Sequence, residues 1–427
     1  MPLVLIAHVI RFAVVVGVAV VALVPRVSSA QDSEFPKIDI NAQLRERSEI
    51  DARDFSGDSD TIVFHLLRTR VGLLAAANSK IRVFAQVQDS RVFGSGDPRI
   101  ARGTMDGKAP ELDFHQAYFE VDSLFNSPLS ARVGRQELFF GNERLIGAVG
   151  WDNVGRTFDA GRLTYRFAEG SGRLDAFASR IVGTRFESSG QNFYGLWGTF
   201  GKTKALTIEA FTLLDNNSAK IESGPDAGDS QLQRFTGGTY LHGAPGRLAY
   251  EFELAYQGGS QAQDSLQPSA TIEAYMASGS VGYTVLPKIK GFVRLLYTRL
   301  SGDGDPSDNK ARTFSTLFAT NHKFYGYMDY FPRTLRKYGL QDYSILGSVA
   351  AARGLRLTAE LHHFMVAETF QGENLLGHEL DLSLLYNYDP NLTFIYGASA
   401  FAPGGAMKIA RGDNTTYWMY FMFIVNV

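Results

Sequence analysis

The sequence predicts an all-β fold: a transmembrane antiparallel up-and-down β-barrel of outer-membrane type, with about eighteen strands. Three observations carry that expectation. Apolar and polar residues alternate along most of the chain, and the links between alternating segments are short and long in turn. The chain also opens with an export-type leader and contains no cysteine.

Residues 1–30 read as a signal peptide. Arg11 precedes an apolar run from Phe12 to Val24, and Ser28-Ser29-Ala30 supplies a small-x-small cleavage site. About a dozen apolar residues is too short for a membrane-spanning helix and suits a secretory h-region. Residues 31–427 then form one barrel domain, with no linker or fixed-period repeat dividing it. Of 42 basic residues, Arg11 and Arg26 leave with the leader, so 40 remain against 44 acidic ones. That balance gives no reason to expect nucleic acid as a partner. Without cysteine, disulfides play no part. No later segment approaches the roughly 18 consecutive apolar residues of a membrane helix. Aromatic residues at 12% and 43 glycines suit a large β-structure. A mean hydropathy of −0.10 fits a barrel, because lipid-facing and lumen-facing residues average out.

The strands follow from strict alternation. In KIDINAQLRER, Ile38, Ile40, Ala42 and Leu44 share one face, with Asp39, Asn41, Gln43, Arg45 and Arg47 on the other. KIRVFAQVQ, RLTYRF and LAYEFELAYQ repeat the pattern, as do KIKGFVRLLYT, RLTAELHHF and HELDLSLLY, and TTYWMYFMFIVNV closes the chain. About eighteen such segments of roughly 8–12 residues match tilted bilayer-crossing strands.

Short links fall at 78–80, 122–130, 168–172, 201–204, 243–247, 285–288, 352–354 and 389–391. Longer polar loops alternate with them, the longest from about Leu300 to Gly339. Short turns on one rim and long loops on the other mark an outer-membrane barrel. One magnitude then orients the faces. Arg45, Arg68, Arg70, Arg82, Arg132, Arg162, Arg166 and Arg294 all lie opposite the apolar set. A lipid-facing arginine at the midplane costs roughly 2–4 kcal/mol, so exposing eight would exceed a domain's net stability of about 5–15 kcal/mol. They are expected to face water in the lumen.

Several motifs are set aside. GLWGTFGKT has Leu196 where a phosphate loop needs glycine, and no helical pattern follows. Asp303, Asp305 and Asp308 in SGDGDPSDNK have cation-site character, but an EF-hand starting there would need glycine at Asp308 and glutamate at Phe314. An irregular structural Ca²⁺ site and a solvated acidic turn both remain open; otherwise no metal or cofactor is expected. His362 and His363 point to opposite faces of a strand. RGD at 411–413 is a short match with little specificity. No Ser/His/Asp set or carboxylate pair has a spacing that specifies catalysis.

Inward basic residues concentrate in the first third: Arg45, Arg47, Arg68, Arg70, Arg82, Arg132, Arg162 and Arg166. Inward acids come later, as Glu251, Glu253, Glu360, Glu379 and Asp381. In a meander the first six strands would form one continuous basic wall. Such a wall concentrates anions, and guanidinium forks match carboxylates. The alternative is that any water-filled barrel carries balancing charges.

The stretch GRQELFFGNERLIGAVGWDNVGRTFDAGRLTYRF resembles the alginate-export family of outer-membrane proteins. The likeness lies in GRQ (Gly134, Arg135, Gln136), ERLIG (Glu143, Arg144), WDN (Trp151, Asp152) and R-x-FD-x-x-R-L (Phe158, Asp159). TFSTLFATNHKFYGYMDYF, residues 313–331, is a second similar patch. The resemblance implies an eighteen-stranded barrel that passes an anionic exopolysaccharide outward through an arginine-rich lumen, served by periplasmic export components. One departure is Val427, where such barrels commonly end in the phenylalanine favoured by the barrel-assembly machinery; Phe421 and Phe423 share its face.

The expected function is therefore a passive, non-catalytic channel embedded in outer-membrane lipid. Its expected cargo is an alginate-like polysaccharide or a related acidic solute, along Arg45, Arg47, Arg68, Arg70, Arg82, Arg132, Gln136, Arg162, Arg166 and Arg294. A passive uptake porin for small organic acids or oligosaccharides is one alternative; a barrel-embedded enzyme is another. The segment 134–153 leaves strand five, which rises outward, and leads back into strand six, so it is an outer-side connection. Glu137, Glu143 and Arg144 should tie this connection to the wall, while Gly141, Gly147 and Gly150 allow bends. Residues 141–150 should fold inward and narrow the mouth. Arg135 breaks parity, predicting a rim position or a β-bulge.

Overall fold

A computed structural model describes residues 35–93, 112–181, 191–217, 230–262, 269–305 and 307–427. The expected signal peptide lies outside the described residues. The alternating segments form β1 (Lys37–Ala52), β2 (Ile62–Ala76), β3 (Ile81–Phe93), β4 (Asp113–Val121), β5 (Leu129–Gln136) and β6 (Phe158–Phe167). There follow β7 (Gly172–Arg180), β8 (Gln191–Phe200), β9 (Thr207–Asn217), β10 (Ser230–Gly243), β11 (Leu248–Ala262), β12 (Ala270–Leu286) and β13 (Gly291–Leu300). β14 is only Lys310–Ala311. The rest are β15 (Leu340–Ala352), β16 (Leu355–Phe370), β17 (Glu373–Asn387), β18 (Leu392–Pro403) and β19 (Thr416–Asn426), with a short helix α1 (Gly405–Arg411) before the last strand.

Sequence neighbours pair antiparallel, and β19 returns to β1, with Gln43 opposite Asn426 and Ala52 opposite Tyr417. β14 lies parallel beside β12 inside a long connection, so β13 pairs directly with β15. Eighteen of the nineteen described strands therefore form a closed wall. Closure leaves no strand edge, which lipid could not hydrogen-bond.

The eight short links lie on one rim, with strand ends at 76/81, 121/129, 167/172, 200/207, 243/248, 286/291, 352/355 and 387/392. One outer link breaks the alternation. β16 and β17 are joined by Gln371 and Gly372 alone, both with positive φ (49° and 86°). Left-handed residues at both central positions match the twist of a tight hairpin.

The outward face carries the exposed apolar belt, including Ile38, Ile40, Leu163, Tyr165, Phe252, Leu254 and Tyr256. The packed core lies on the other side, within the bore. Phe177, Phe193, Trp197, Phe211, Phe364, Phe401 and Trp418 are buried there against Phe140, Leu145, Ile146, Phe314, Tyr325, Met328 and Phe331 of two inward loops. The inward face is thus not uniformly polar. On β7–β9 and β16–β19 it bears aromatic residues where a loop covers it.

Candidate functional site

Residues 137–157 and 301–339 both turn into the bore and join each other. Ile146 bridges Phe318 in parallel, with Gly147 N–H donating to Phe318 O at 2.9 Å and Phe318 N–H to Leu145 O at 2.9 Å. Arg156 donates to Phe318 O and, at 3.1 Å, to Ala319 O. Thr320 donates to Glu143 at 2.8 Å, and Lys323 meets the same carboxylate at 3.4 Å. The first loop holds the middle of the 134–167 stretch and the second holds residues 313–331, the two stretches that carry the family resemblance.

Four arginines of β1 and β2 hold the first loop by its backbone. Arg45 donates to Gly150 O (2.7 Å) and Asp152 O (2.9 Å). Arg68, directly opposite it in register, reaches the same atoms at 3.2 and 3.0 Å. Arg47 donates to Trp151 O at 2.7 Å, and Arg70 to Val154 O at 3.2 Å. Arg45, Arg47 and Arg68 are buried by these contacts. The Arg47 guanidinium also lies 3.9 Å over the Trp151 ring, which stacks on His322 at 4.1 Å and 10° and meets Tyr420 of β19 edge-on at 4.9 Å. Tyr327 continues the stack 5.3 Å from His322.

On the far side, Phe140 stacks on Phe177 (5.4 Å) and Trp197 (5.2 Å). Arg144, fully buried, meets Glu253 of β11 at 3.2 Å and lies over Phe324 at 4.1 Å. Glu137 binds His115 of β4 (2.8 Å) and Arg70 (3.5 Å). Burial pushes the Asp152 carboxyl above the usual range and the Arg156 guanidinium down to about 10. The bends differ from expectation. Gly141 has φ 56° and Gly155 φ 81°, but the non-glycine residues Glu143 (74°) and Val149 (49°) also take left-handed positions, and Gly150 needs no special freedom. Gly147 instead allows close approach, since a Cβ there would collide with Thr320 and Glu143.

The second loop is held mainly by acids and amides. Glu379 accepts from Met328 N–H (2.8 Å) and Asp381 from Tyr327 N–H (3.2 Å). Gln257 and Ser315 exchange two bonds of 2.8 and 2.9 Å. Tyr330 meets Thr416 at 2.8 Å, and Phe331 packs on Phe364 at 4.5 Å.

The remaining arginines lie lower in the bore, toward the rim of short turns, and most are paired. Arg82 bridges Glu120 and Asp122, and Arg132 bridges Glu120. Arg162 meets Asp175 at 2.8 Å, and Arg294 meets Glu360 at 2.7 Å. Arg166 is exposed and donates to Ser130 at 2.8 Å. The expected unbroken basic wall is therefore interrupted, because β4 contributes Glu120 and β7 contributes Asp175 among the arginines. Arg173 of β7, which the expected track omitted, shares Asp175 at 2.6 Å. Both carboxylates occupy inward positions that strand alternation reveals.

Gln136 is fully buried and donates to Ala160 O at 2.9 Å. Phe158 packs edge-on to Phe318 at 5.5 Å. Arg135 sits on the outer face near the rim, 2.9 Å from Asp159 and 3.5 Å from Asp113, with no register shift there. Gly134 has φ 129° and lies where a Cβ would strike the Ala117 backbone. Of the candidate cation residues, Asp303 and Asp308 engage Arg312 (3.9 and 2.5 Å), and Asp305 accepts from Ser307 at 2.6 Å. Among the described residues, no three His, Asp or Glu side chains converge as metal ligands.

The geometry has counterparts among solved barrels. Acinetobacter baumannii OccAB1 superposes with a TM-score of 0.62 at 12% identity, over 93% of this chain and 99% of its own. Pseudomonas aeruginosa OprD gives 0.61 at 11% (94% and 97%), and P. aeruginosa OccK8 (OprE) gives 0.60 at 12% (92% and 98%). At such identities the likeness is one of fold. No curated protein matches the sequence significantly. The family described as alginate export matches residues 37–421, nearly the whole barrel. The chain belongs to the alginate-export family and is an outer-membrane β-barrel of the channel type.

Proposed function

We propose that this protein is a passive channel for anionic solutes, with a carboxylate-bearing polysaccharide as its foremost cargo. The observation that carries the reading is the charge on the β3–β7 side of the lower bore. Between β3 and β7 it presents Arg82, Arg132, Arg162, Arg166 and Arg173 against Glu120, Asp122 and Asp175, an excess of two positive charges (5 − 3). Guanidiniums in a narrow, water-filled passage favour carboxylates and raise their local concentration. The family match supports polymer as the cargo class.

A second reading, uptake of small acids, is favoured by the joined inward loops, which fill part of the bore. One serine–histidine–carboxylate cluster, on β1 and β2, lacks the geometry of a proton relay. His65 Nδ1 meets both Ser48 Oγ (2.8 Å) and Glu46 (3.4 Å), so no imidazole ring relays a proton from nucleophile to acid there.

Planar-bilayer recording across a salt gradient tests the proposal. Anion selectivity, weakened in Arg132→Gln/Arg162→Gln/Arg166→Gln, supports it, and cation selectivity overturns it. Block by polyuronate but not by monomeric uronate favours the polymer; block by monomers alone favours small acids.

A further inference from the structure

His363 of β16 and His378 of β17 are direct cross-strand partners on the outward face of the barrel. Their Nδ1 atoms lie 3.4 Å apart, with ring centroids at 4.8 Å. His362, one residue away, points inward to Asp342 at 2.9 Å and takes no part. Leu361 and Leu380, exposed on the same face, mark the apolar belt just below the pair. Above it the strands meet in the two-residue hairpin of Gln371 and Gly372, so no long loop from this hairpin folds over the site.

We propose that His363 and His378 form a binding site for a divalent first-row transition metal such as Zn²⁺. Imidazole nitrogens bind Zn²⁺ at about 2.0–2.1 Å. Two nitrogens 3.4 Å apart, each at that bond length, subtend an angle of about 110° at the metal, the tetrahedral value. The pair is thus set at a chelating bite before any metal arrives. Neutral imidazoles placed this way bring two ring nitrogens together, and only one can carry a shared proton; a metal satisfies both lone pairs. Water completes the coordination, because among the described residues no third His, Asp or Glu joins the pair. Nitrogen donors select Zn²⁺, Cu²⁺ or Ni²⁺ over the oxygen-seeking Ca²⁺ and Mg²⁺. The strand pairing fixes both side chains on neighbouring rigid backbones, so little ordering is needed on binding.

The test is calorimetric titration of the folded full chain in detergent with Zn²⁺. One Zn²⁺ per chain is expected. His363→Gln and His378→Gln should each weaken binding at least tenfold, while His65→Gln, on the same outer surface, leaves it unchanged. Heat-modifiable gel mobility verifies that each variant is folded. Cu²⁺ electron paramagnetic resonance should show two coordinated nitrogens from this pair, reduced in either variant. Absence of Zn²⁺ binding by the wild type, or wild-type binding by either folded variant, overturns the proposal.

Discussion

Arg45 and Arg68 stand directly opposite each other on β1 and β2, and both guanidiniums converge on the carbonyl oxygens of Gly150 and Asp152. Like charges directly across a strand pair are ordinarily destabilising. Here the two carbonyl dipoles accept from both cations, so the inward loop offsets part of a repulsion built into the wall. Hydrogen bonds to charged groups contribute about 1.5–3 kcal/mol each. The double variant Arg45→Gln/Arg68→Gln should weaken loop docking by at least about 3 kcal/mol on that scale. Single-channel conductance should rise, and an unchanged value counts against the clamp.

Deleting residues 141–150 removes Arg144, whose partner is Glu253, together with the chain that joins Phe318. Conductance should increase. Trp197 should also lose part of its cover as Phe140 moves away, and its fluorescence should shift to the red. A larger conductance without that shift would mean that the loop narrows the passage without packing on β8.

Trp151 lies between Arg47 and His322 and couples the two loops. A desolvated cation–π contact contributes about 2 kcal/mol and an aromatic pair about 0.5–1.5 kcal/mol. In Trp151→Ala, amide hydrogen exchange within 314–331 should accelerate by roughly tenfold or more, since about 1.4 kcal/mol corresponds to one decade. Exchange at the wild-type rate would show that the Ile146–Phe318 bridge and the contacts of Arg156 and Glu143 hold the loops together without Trp151.

Asp152 supplies a pH dependence. Burial, reinforced by the charge of Asp329, raises its carboxyl above the unfolded value. A raised acid favours the docked state in its protonated form. Its contribution is full below the unfolded pKa and is lost as pH rises through the higher folded one. Docking should therefore loosen as pH climbs through the acidic range, and Asp152→Asn should flatten that part of the profile. Conductance measured from about pH 4 to 7 in both proteins checks it; identical slopes would remove Asp152 from the account.

The barrel was legible because its information is local. Alternation in segments such as KIDINAQLRER marks strand faces, and the long gap ending at Gly339 coincides with the described loop between Leu300 and Leu340. Arginine burial was not legible. Parity says that Arg45 and Arg68 point inward, but not that a connection over eighty residues away in sequence would cover them. The aromatic inward positions Phe177, Phe193 and Trp197 were a readable sign of such a cover, because bare water would leave them costly to expose. Glu120 and Asp175 were also readable from parity on β4 and β7. The pairing of Glu143 with Thr320 depends on two loops meeting in space, and no short-range pattern encodes it.

The joined loops also have a mechanical meaning. A bare cylinder of β-sheet resists stretching along its hydrogen bonds far better than it resists being flattened. Here Arg45 and Arg68 anchor one end of a cross-member, Glu253 and Gln257 receive it on the opposite side, and Glu379 fixes a third point. The loops are spokes that set the outline of the tube. Any event that clears the passage therefore also releases the wall, so the width of the opening and the stiffness of the barrel must change together.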